Sequence, residues 1–251
     1  MARDSSMTEP PFFVLGADRP GRWIVTCDHA SNRVPEDLSG DLGLAPEDMA
    51  RHIAFDPGAA GVTRHLAELL GSPAVLSNFS RLVIDPNRGE LDPTLVMKLY
   101  DGTIIPRNRD VDAIEVERRL DAYYRPYHGA IDALTSSRAP EAIVSIHSFT
   151  PQFKGRAHRP WQIGILSASD RRLSDPLLRL LREDCDLIVG DNEPYTGSLA
   201  GDAMDRHGIQ PGRQHTLIEI RNDLITTDSD QRAWAERLAP HLEAALDEAE
   251  V

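Results

Sequence analysis

At 251 residues and 41% hydrophobic content the chain carries enough apolar material for one large α/β core, and no Pro/Gly/Ser-rich linker divides it. Residues 12–251 therefore read as a single domain behind a loose tail over residues 1–11. A formal charge of −13, with no basic run longer than Arg118-Arg119 or Arg171-Arg172, argues against nucleic acid and anionic membrane surfaces as partners and leaves a small molecule. Cys27 and Cys185 form neither a CxxC pair nor a disulfide framework, and Phe12-Phe13-Val14-Leu15 is too short for a signal core. The expected location is the cytoplasm, with both thiols reduced; oligomeric state is left open.

In chain order, the first strong signal is Ile24-Val25, a buried β-branched run that ends abruptly in Asp28-His29 and then in the turn-prone Ala30-Ser31-Asn32. Residues 33–45 are turn-rich, a long loop beside that strand end. Asp56-Pro57 opens a helix through Val62, Leu66, Leu69 and Leu70 to Gly71, with Asp56 as N-cap. Residues 73–76 and 82–84 read as two short strands. Residues 89–109 show no clean period and read as a surface excursion. Residues 112–136 read as one long helix with Ile114, Leu120, Tyr124, Tyr127, Ile131 and Leu134 on its apolar face. A second buried run follows at residues 142–149 and carries His147 near its end. Then come a strand at 161–166, a helix at 175–182, a strand at 187–190, a strand at 215–221 with Glu219 in its middle, and a last helix at 229–248. Strands alternating with helices mean an α/β fold with a largely parallel sheet.

Open α/β sheets place their chemistry at the carboxyl ends of their strands, where His29 and His147 both fall. Two imidazoles and a carboxylate with one open position make the ligand set of catalytic zinc hydrolases. Asp56 is the first candidate for the third ligand and Asn32 the second, because a neutral amide is a poor zinc donor; the bland alternative for Asp56 is its service as a helix cap. Glu219 is a carboxylate inside a buried run and needs a partner. That partner is either the attacking water of a hydrolase, for which Glu219 would be general base, or Arg221, which period-two alternation puts on the same strand face. Arg81, Asn87 and Arg88 flank residues 82–84 and can grip a carboxylate by directed donors. Asn192 and Tyr195 follow a later strand end and can line the same cleft. His128 is the weakest of the candidate ligands.

These residues resemble the N-formylglutamate amidohydrolase family over residues 13–225. The anchors are Asp28-His29-Ala30-Ser31-Asn32, Ala54-Phe55-Asp56-Pro57-Gly58-Ala59, Ser80-Arg81 through Asn87-Arg88, His147-Ser148-Phe149-Thr150-Pro151, Asn192-Glu193-Pro194-Tyr195 and Glu219-Ile220-Arg221. The resemblance implies a three-layer α/β/α sandwich on a mixed, largely parallel sheet, similar to the zinc-dependent exopeptidases. It also implies hydrolysis of N-formyl-L-glutamate to formate and glutamate, a step that ends one route of histidine degradation. Carried onto this chain, it puts Zn2+ or another divalent metal on His29 and His147, with Asp56 or Asn32 as third ligand, makes Glu219 the base, and sets Arg81 with Asn87 and Arg88 at the oxyanion and the substrate carboxylate. Asn32, Arg221, Asn192 and Tyr195 complete the expected substrate contacts. Family members of the histidine pathway read Pro-His-Ser-Gly at the first His, so the Asp28-His29-Ala30-Ser31-Asn32 version here bears on substrate more than on chemistry. Two alternatives are a hydrolase of another N-acyl amino acid or short acidic peptide, and a non-catalytic carboxylate-binding protein of the same fold.

Overall fold

The computed structural model describes residues 9–249. Most of the expected tail over residues 1–11 lies outside the described residues; of its last members, Pro10 and Pro11 accept hydrogen bonds from Asn78 through their carbonyls. The chain then runs β1 (Phe12–Leu15), β2 (Trp23–Cys27), α1 (Pro46–Met49), α2 (Ala59–Leu69), β3 (Ala74–Ser77), the hairpin β4 (Leu99–Tyr100) and β5 (Thr103–Ile104), α3 (Ala113–Arg119), α4 (Arg125–Arg138), β6 (Ala142–Phe149), β7 (Ile163–Leu166), α5 (Ser174–Glu183), β8 (Val189–Asp191), β9 (Gln214–Arg221) and α6 (Asp228–Ala249).

Seven of these strands form one mixed sheet in the order β1-β3-β2-β6-β9-β7-β8. The central strands β3, β2, β6 and β9 are parallel, whereas β1 joins β3 and β7 joins β9 antiparallel. Alternation along each strand feeds two cores. Trp23, Val25, Val144 and Ile146 pack against Val62 and Leu66 of α2, Leu177 of α5 and Leu238 of α6. Ile24, Ile143 and Leu217 face the opposite layer, built from Tyr123, Tyr124, Tyr127, Ile131 and the loops around Phe79 and Leu82. A sheet with a helical layer on each face is the three-layer α/β/α sandwich.

Three local expectations are corrected. Residues 82–84 are a buried turn, not a strand. Val83 N–H donates to Ser80, and the carbonyls of Leu82 and Val83 are taken by Asn108 Nδ2 (2.7 Å) and Arg119 Nη1 (2.8 Å), so side chains supply what a neighbouring strand would. A three-residue apolar run carries no period by which to tell the two apart. Next, α2 is capped by Gly58 at φ 82°, two residues later than the Asp56 cap predicted. A Cβ there would sit 2.4 Å from the carbonyl of Ile225, so both the backbone angle and the close approach require glycine. Asp56 is thereby freed from capping. Last, the predicted single helix over residues 112–136 is interrupted by a π-helical turn over Leu120–Tyr124, where Arg125 N–H donates to Leu120 instead of to the residue four back. Pro126 lies next in line and has no N–H to continue the ladder, and the wider turn absorbs that gap.

Candidate functional site

Strand register assembles the site. Parallel pairing of β6 with β9 sets His147 directly beside Glu219, and antiparallel pairing of β7 with β9 sets Gly164 on the other side of Glu219. Gly164 is needed there because the Glu193 carbonyl approaches so closely that a Cβ would stand 1.9 Å from it. One strand over, β2 runs out into Asp28 and His29, and the imidazoles of His29 and His147 meet edge to face with centroids 4.9 Å apart. Asp56, held in the turn before α2, reaches both rings: its Oδ2 lies 3.2 Å from His29 Nδ1 and 2.8 Å from His147 Nδ1. All three side chains are buried, and their ligand atoms lie within 4.8 Å of one another.

The opposite edges of the two rings fix their protons. His29 Nε2 lies 2.7 Å from Asp85 Oδ1 and His147 Nε2 lies 2.8 Å from Asp28 Oδ2, so each ring donates from Nε2 to a buried carboxylate. Both Nδ1 lone pairs are then aimed at the Asp56 carboxylate. Lone pairs facing a carboxylate repel unless a cation stands between them. In the bare chain that cation is a proton: burial alone would lower the pKa of His147, but its hydrogen bonds with Asp28 and Asp56 win and hold it well above the usual imidazole value. A divalent ion satisfies the same geometry with no proton, and a carboxylate behind each ligating imidazole is the usual support of such an ion. The donor set thus fits zinc or a similar metal.

The charges around this point are held by pairing. Burial opposes ionisation of Asp28, Asp56 and Asp85, yet all three stay below the normal carboxylate range. Asp28 is held by hydrogen bonds from His147 and Tyr127, Asp56 by the two imidazoles, and Asp85 by Arg81 and His29. Arg81 is consumed in this work: Nη2 reaches Asp85 at 2.9 Å and Nη1 reaches Asp56 at 3.4 Å. Glu219 differs from the other acids. Its Oε2 is buried with no hydrogen-bond partner, and burial, aided by the nearby Asp56 charge, pushes its pKa up to about 7 against the pull of His147 and Arg81. It is a carboxylate poised to take and release a proton near neutral pH.

A cavity of about 220 Å³ opens on these groups and has room for a small molecule. Its walls include Arg81, Asn87, Arg88, Tyr195 and Glu219 together with His29, Asp56 and His147. Among the described residues Arg88 makes no ion pair; it donates to Thr94 Oγ1 and to the Asn87 carbonyl. The structure does not bring Asn32, Asn192 or Arg221 to this cavity. Asn32 Nδ2 donates to the Met49 carbonyl. Asn192, at φ 52°, accepts from Ser167 N–H and Gly197 N–H and shapes the turn beneath Tyr195. Arg221 shares its strand face with Glu219 but turns outward to Asp223 at 2.8 Å.

Sequence reasoning passed over Asp28 and Asp85 as site members; Asp28 stands directly before His29, whereas Asp85 is marked only by following Arg81 at a spacing of four. It also passed over Arg159. That guanidinium lies over the rings of Phe153 (4.1 Å), Tyr195 (4.9 Å) and Phe149 (5.7 Å) and donates to Tyr195 Oη at 3.1 Å, again without a carboxylate partner among the described residues. Phe149 and Tyr195 are cavity walls, so Arg159 adds a second positive charge at the rim. Nothing in its local sequence marks it.

Among the described residues no helix is long and apolar enough to cross a membrane. No curated protein matches the chain. A crystal structure of a gene product of Agrobacterium tumefaciens is 34% identical, with 97% of each chain covered and a TM-score of 0.90. An N-formylglutamate amidohydrolase from Ralstonia eutropha JMP134 shares the fold at 23% identity, with 96% of this chain and 98% of that one covered and a TM-score of 0.64. The model of the N-formylglutamate amidohydrolase family matches residues 21–226, a span that holds His29, Asp56, Arg81, His147 and Glu219. The chain belongs to the N-formylglutamate amidohydrolase family.

Proposed function

We propose that the protein is a metal-dependent amidohydrolase that removes the formyl group from N-formyl-L-glutamate or a closely similar N-acyl acidic amino acid, the reaction that ends a route of histidine degradation. The observation that carries this reading is the convergence of the His29 and His147 Nδ1 atoms on Asp56 beside the unpartnered carboxylate of Glu219.

A divalent ion held by His29, Asp56 and His147 would supply Lewis-acid polarisation of the acyl oxygen and make a bound water more acidic. Glu219 takes a proton from the attacking water as its oxygen adds to the formyl carbon. It then gives that proton to the amide nitrogen as the C–N bond breaks, leaving formate and the free amino acid. Asp28 and Asp85 keep the Nε2 protons in place, which keeps both Nδ1 lone pairs turned to the ligand position. Arg81 adds positive charge to the wall where negative charge develops on the acyl oxygen. Arg88, Asn87 and Arg159 receive the substrate carboxylates, the two arginines making no ion pair with a described residue. Tyr195 accepts from Arg159, so its own hydroxyl proton remains available to substrate.

The test is metal content and turnover on one preparation, comparing N-formyl-L-glutamate with N-formyl-L-alanine. One divalent ion per chain and a preference for the acidic substrate are expected. A folded, metal-free protein that binds glutamate and hydrolyses neither compound would replace this reading with the carboxylate-binding one.

A further inference from the structure

Outside the ligand cluster the described residues hold another buried set of titratable groups. His128 on α4 is fully buried, and its Nε2 lies 3.0 Å from the carbonyl of Pro86. Its Nδ1 lies 2.8 Å from Nε2 of His207, which is itself 2% exposed. The two rings are inclined by only 27° with centroids 5.0 Å apart, so they meet edge to edge in a shared plane. His207 Nδ1 in turn lies 3.1 Å from Oδ1 of Asp132, which reaches solvent. Three contacts thus link a surface carboxylate to the backbone of the segment that carries Asp85, Asn87 and Arg88.

Counting protons decides the charge of this chain. The Pro86 carbonyl can only accept, so His128 must donate from Nε2. The Asp132 carboxylate can only accept, and as the ion-pair partner of His207 at 3.1 Å it calls for a proton on Nδ1. The remaining contact, between two ring nitrogens, needs one proton on either side. That makes three protons over two imidazoles and therefore one positive charge, wherever the middle proton sits. Burial and the neighbouring His207 lower the pKa of His128 to about 3, which puts the charge on His207 against Asp132.

Pro86 and its neighbours need such support. Residues 84–88 belong to neither a helix nor a strand, and two of their carbonyls are caught by side chains from elsewhere: Pro86 by His128 and Arg88 by the Tyr124 hydroxyl at 2.8 Å. Below them, Asp85 receives the Asn87 N–H as well as His29.

We propose that Asp132, His207 and His128 are positioning residues: a three-proton relay whose single positive charge pins Pro86, and with it sets Asn87 and Arg88 for the substrate carboxylate. The link to substrate rests on the function proposed above; the proton count does not. The relay grips while the pair is charged, below the pair's titration, and loosens as pH rises through it, when one of the three contacts must lose its proton. The charged and titratable groups facing the pair are Asp132 and Arg206, whose Nη2 lies 3.7 Å from Asp132, the buried Asp28 carboxylate, whose charge favours a charged His128, Tyr124 and Tyr127 against the His128 ring, and Arg213 on the His207 carbonyl.

Nitrogen-15 NMR of the histidine rings in the whole protein tests the count without any substrate. On raising the pH the pair is expected to pass from a three-proton form, with His207 an imidazolium and His128 the neutral Nε2–H form, to a two-proton one, and Asp132→Asn should move that loss of charge to lower pH. Two protons on the pair at every pH at which the wild type is folded, or His128 bearing its proton on Nδ1 alone, would overturn the relay even if the enzyme is active. Should the NMR agree while no N-acyl substrate is turned over, the function proposed above fails and the relay stands. With N-formyl-L-glutamate as substrate, KM should rise about tenfold on the alkaline side with kcat little changed, about what one lost hydrogen bond gives. In Asp132→Asn that edge should shift down in pH. His128→Gln keeps an N–H for Pro86 and should restore a low KM without the edge, whereas His128→Phe should have a high KM throughout. Identical KM profiles in wild type and a folded Asp132→Asn would end the proposal.

Discussion

Replacing Glu219 by Gln separates chemistry from architecture, because the structure gives opposite signs for the two. Glu219 is buried, its Oε2 has no partner, and its pKa stands at about 7. An acid whose folded pKa lies above its unfolded value weakens the fold once pH exceeds the unfolded value, and the deficit grows until pH passes the folded one. Without metal, chain stability should therefore fall as pH rises from the normal carboxylate range through about 7. At pH 7 the deficit is on the order of 3 kcal/mol. Glutamine removes it but buries an amide with an unpaired N–H, which costs about 1–3 kcal/mol. In chelator the variant should then melt level with wild type or a few degrees above it. With metal restored the difference should shrink or reverse, since a cation favours the carboxylate. The ligand cluster does not include Glu219, so metal content should hold. Loss of the proton carrier should lower kcat by roughly 10²–10⁴-fold. Melting temperature in chelator and in zinc, metal content and kcat, all from one preparation, check these points. A Glu219→Gln protein that is destabilised yet normally active would refute the assignment of Glu219 as base.

Three further outcomes follow from the same geometry. His147→Ala should lose bound metal and activity together, and turnover by a metal-free His147→Ala preparation would contradict the ligand assignment. Asp28→Ala removes the acceptor behind His147 Nε2 (2.8 Å) and should weaken zinc about 10–100-fold in a competitive chelator titration; unchanged affinity would mean that Asp28 only fills its pocket. Arg88→Ala and Arg159→Ala should each raise KM for an N-formyl acidic amino acid by about 2 kcal/mol while a neutral N-formyl substrate loses little, and equal losses for both substrates would assign these arginines to the fold.

The layered fold was legible because its strands are buried on both faces and its helices carry an unbroken apolar stripe. Ile24-Val25, Ile143-Val144 and Leu217-Ile218 announce β2, β6 and β9 by β-branched density, and α5 and α6 follow from spacing alone. What stayed hidden is what depends on distant partners. Leu82-Val83-Ile84 has the composition of a strand, and it is a turn because Asn108 and Arg119 arrive from elsewhere in the chain to take its carbonyls. Arg159 enters the rim through a loop whose path local sequence does not encode.

Asp56 shows why a local motif and a chemical role compete for one side chain. Asp-Pro before an apolar periodic run is a standard helix start, and the backbone half of that reading is met: Ala59 N–H does donate to the Asp56 carbonyl. Which way the carboxylate turns is decided two residues downstream. Gly58 takes the left-handed conformation, becomes the cap itself with no side chain to offer, and turns the Asp56 carboxylate away from the helix toward two imidazoles that arrive from β2 and β6. Had residue 58 been any β-carbon residue, the clash with Ile225 would have forced the turn to move and with it the carboxylate that meets the two imidazoles. The glycine and the distant carbonyl of Ile225 thus settle the direction of a carboxylate that sequence leaves divided between cap and ligand.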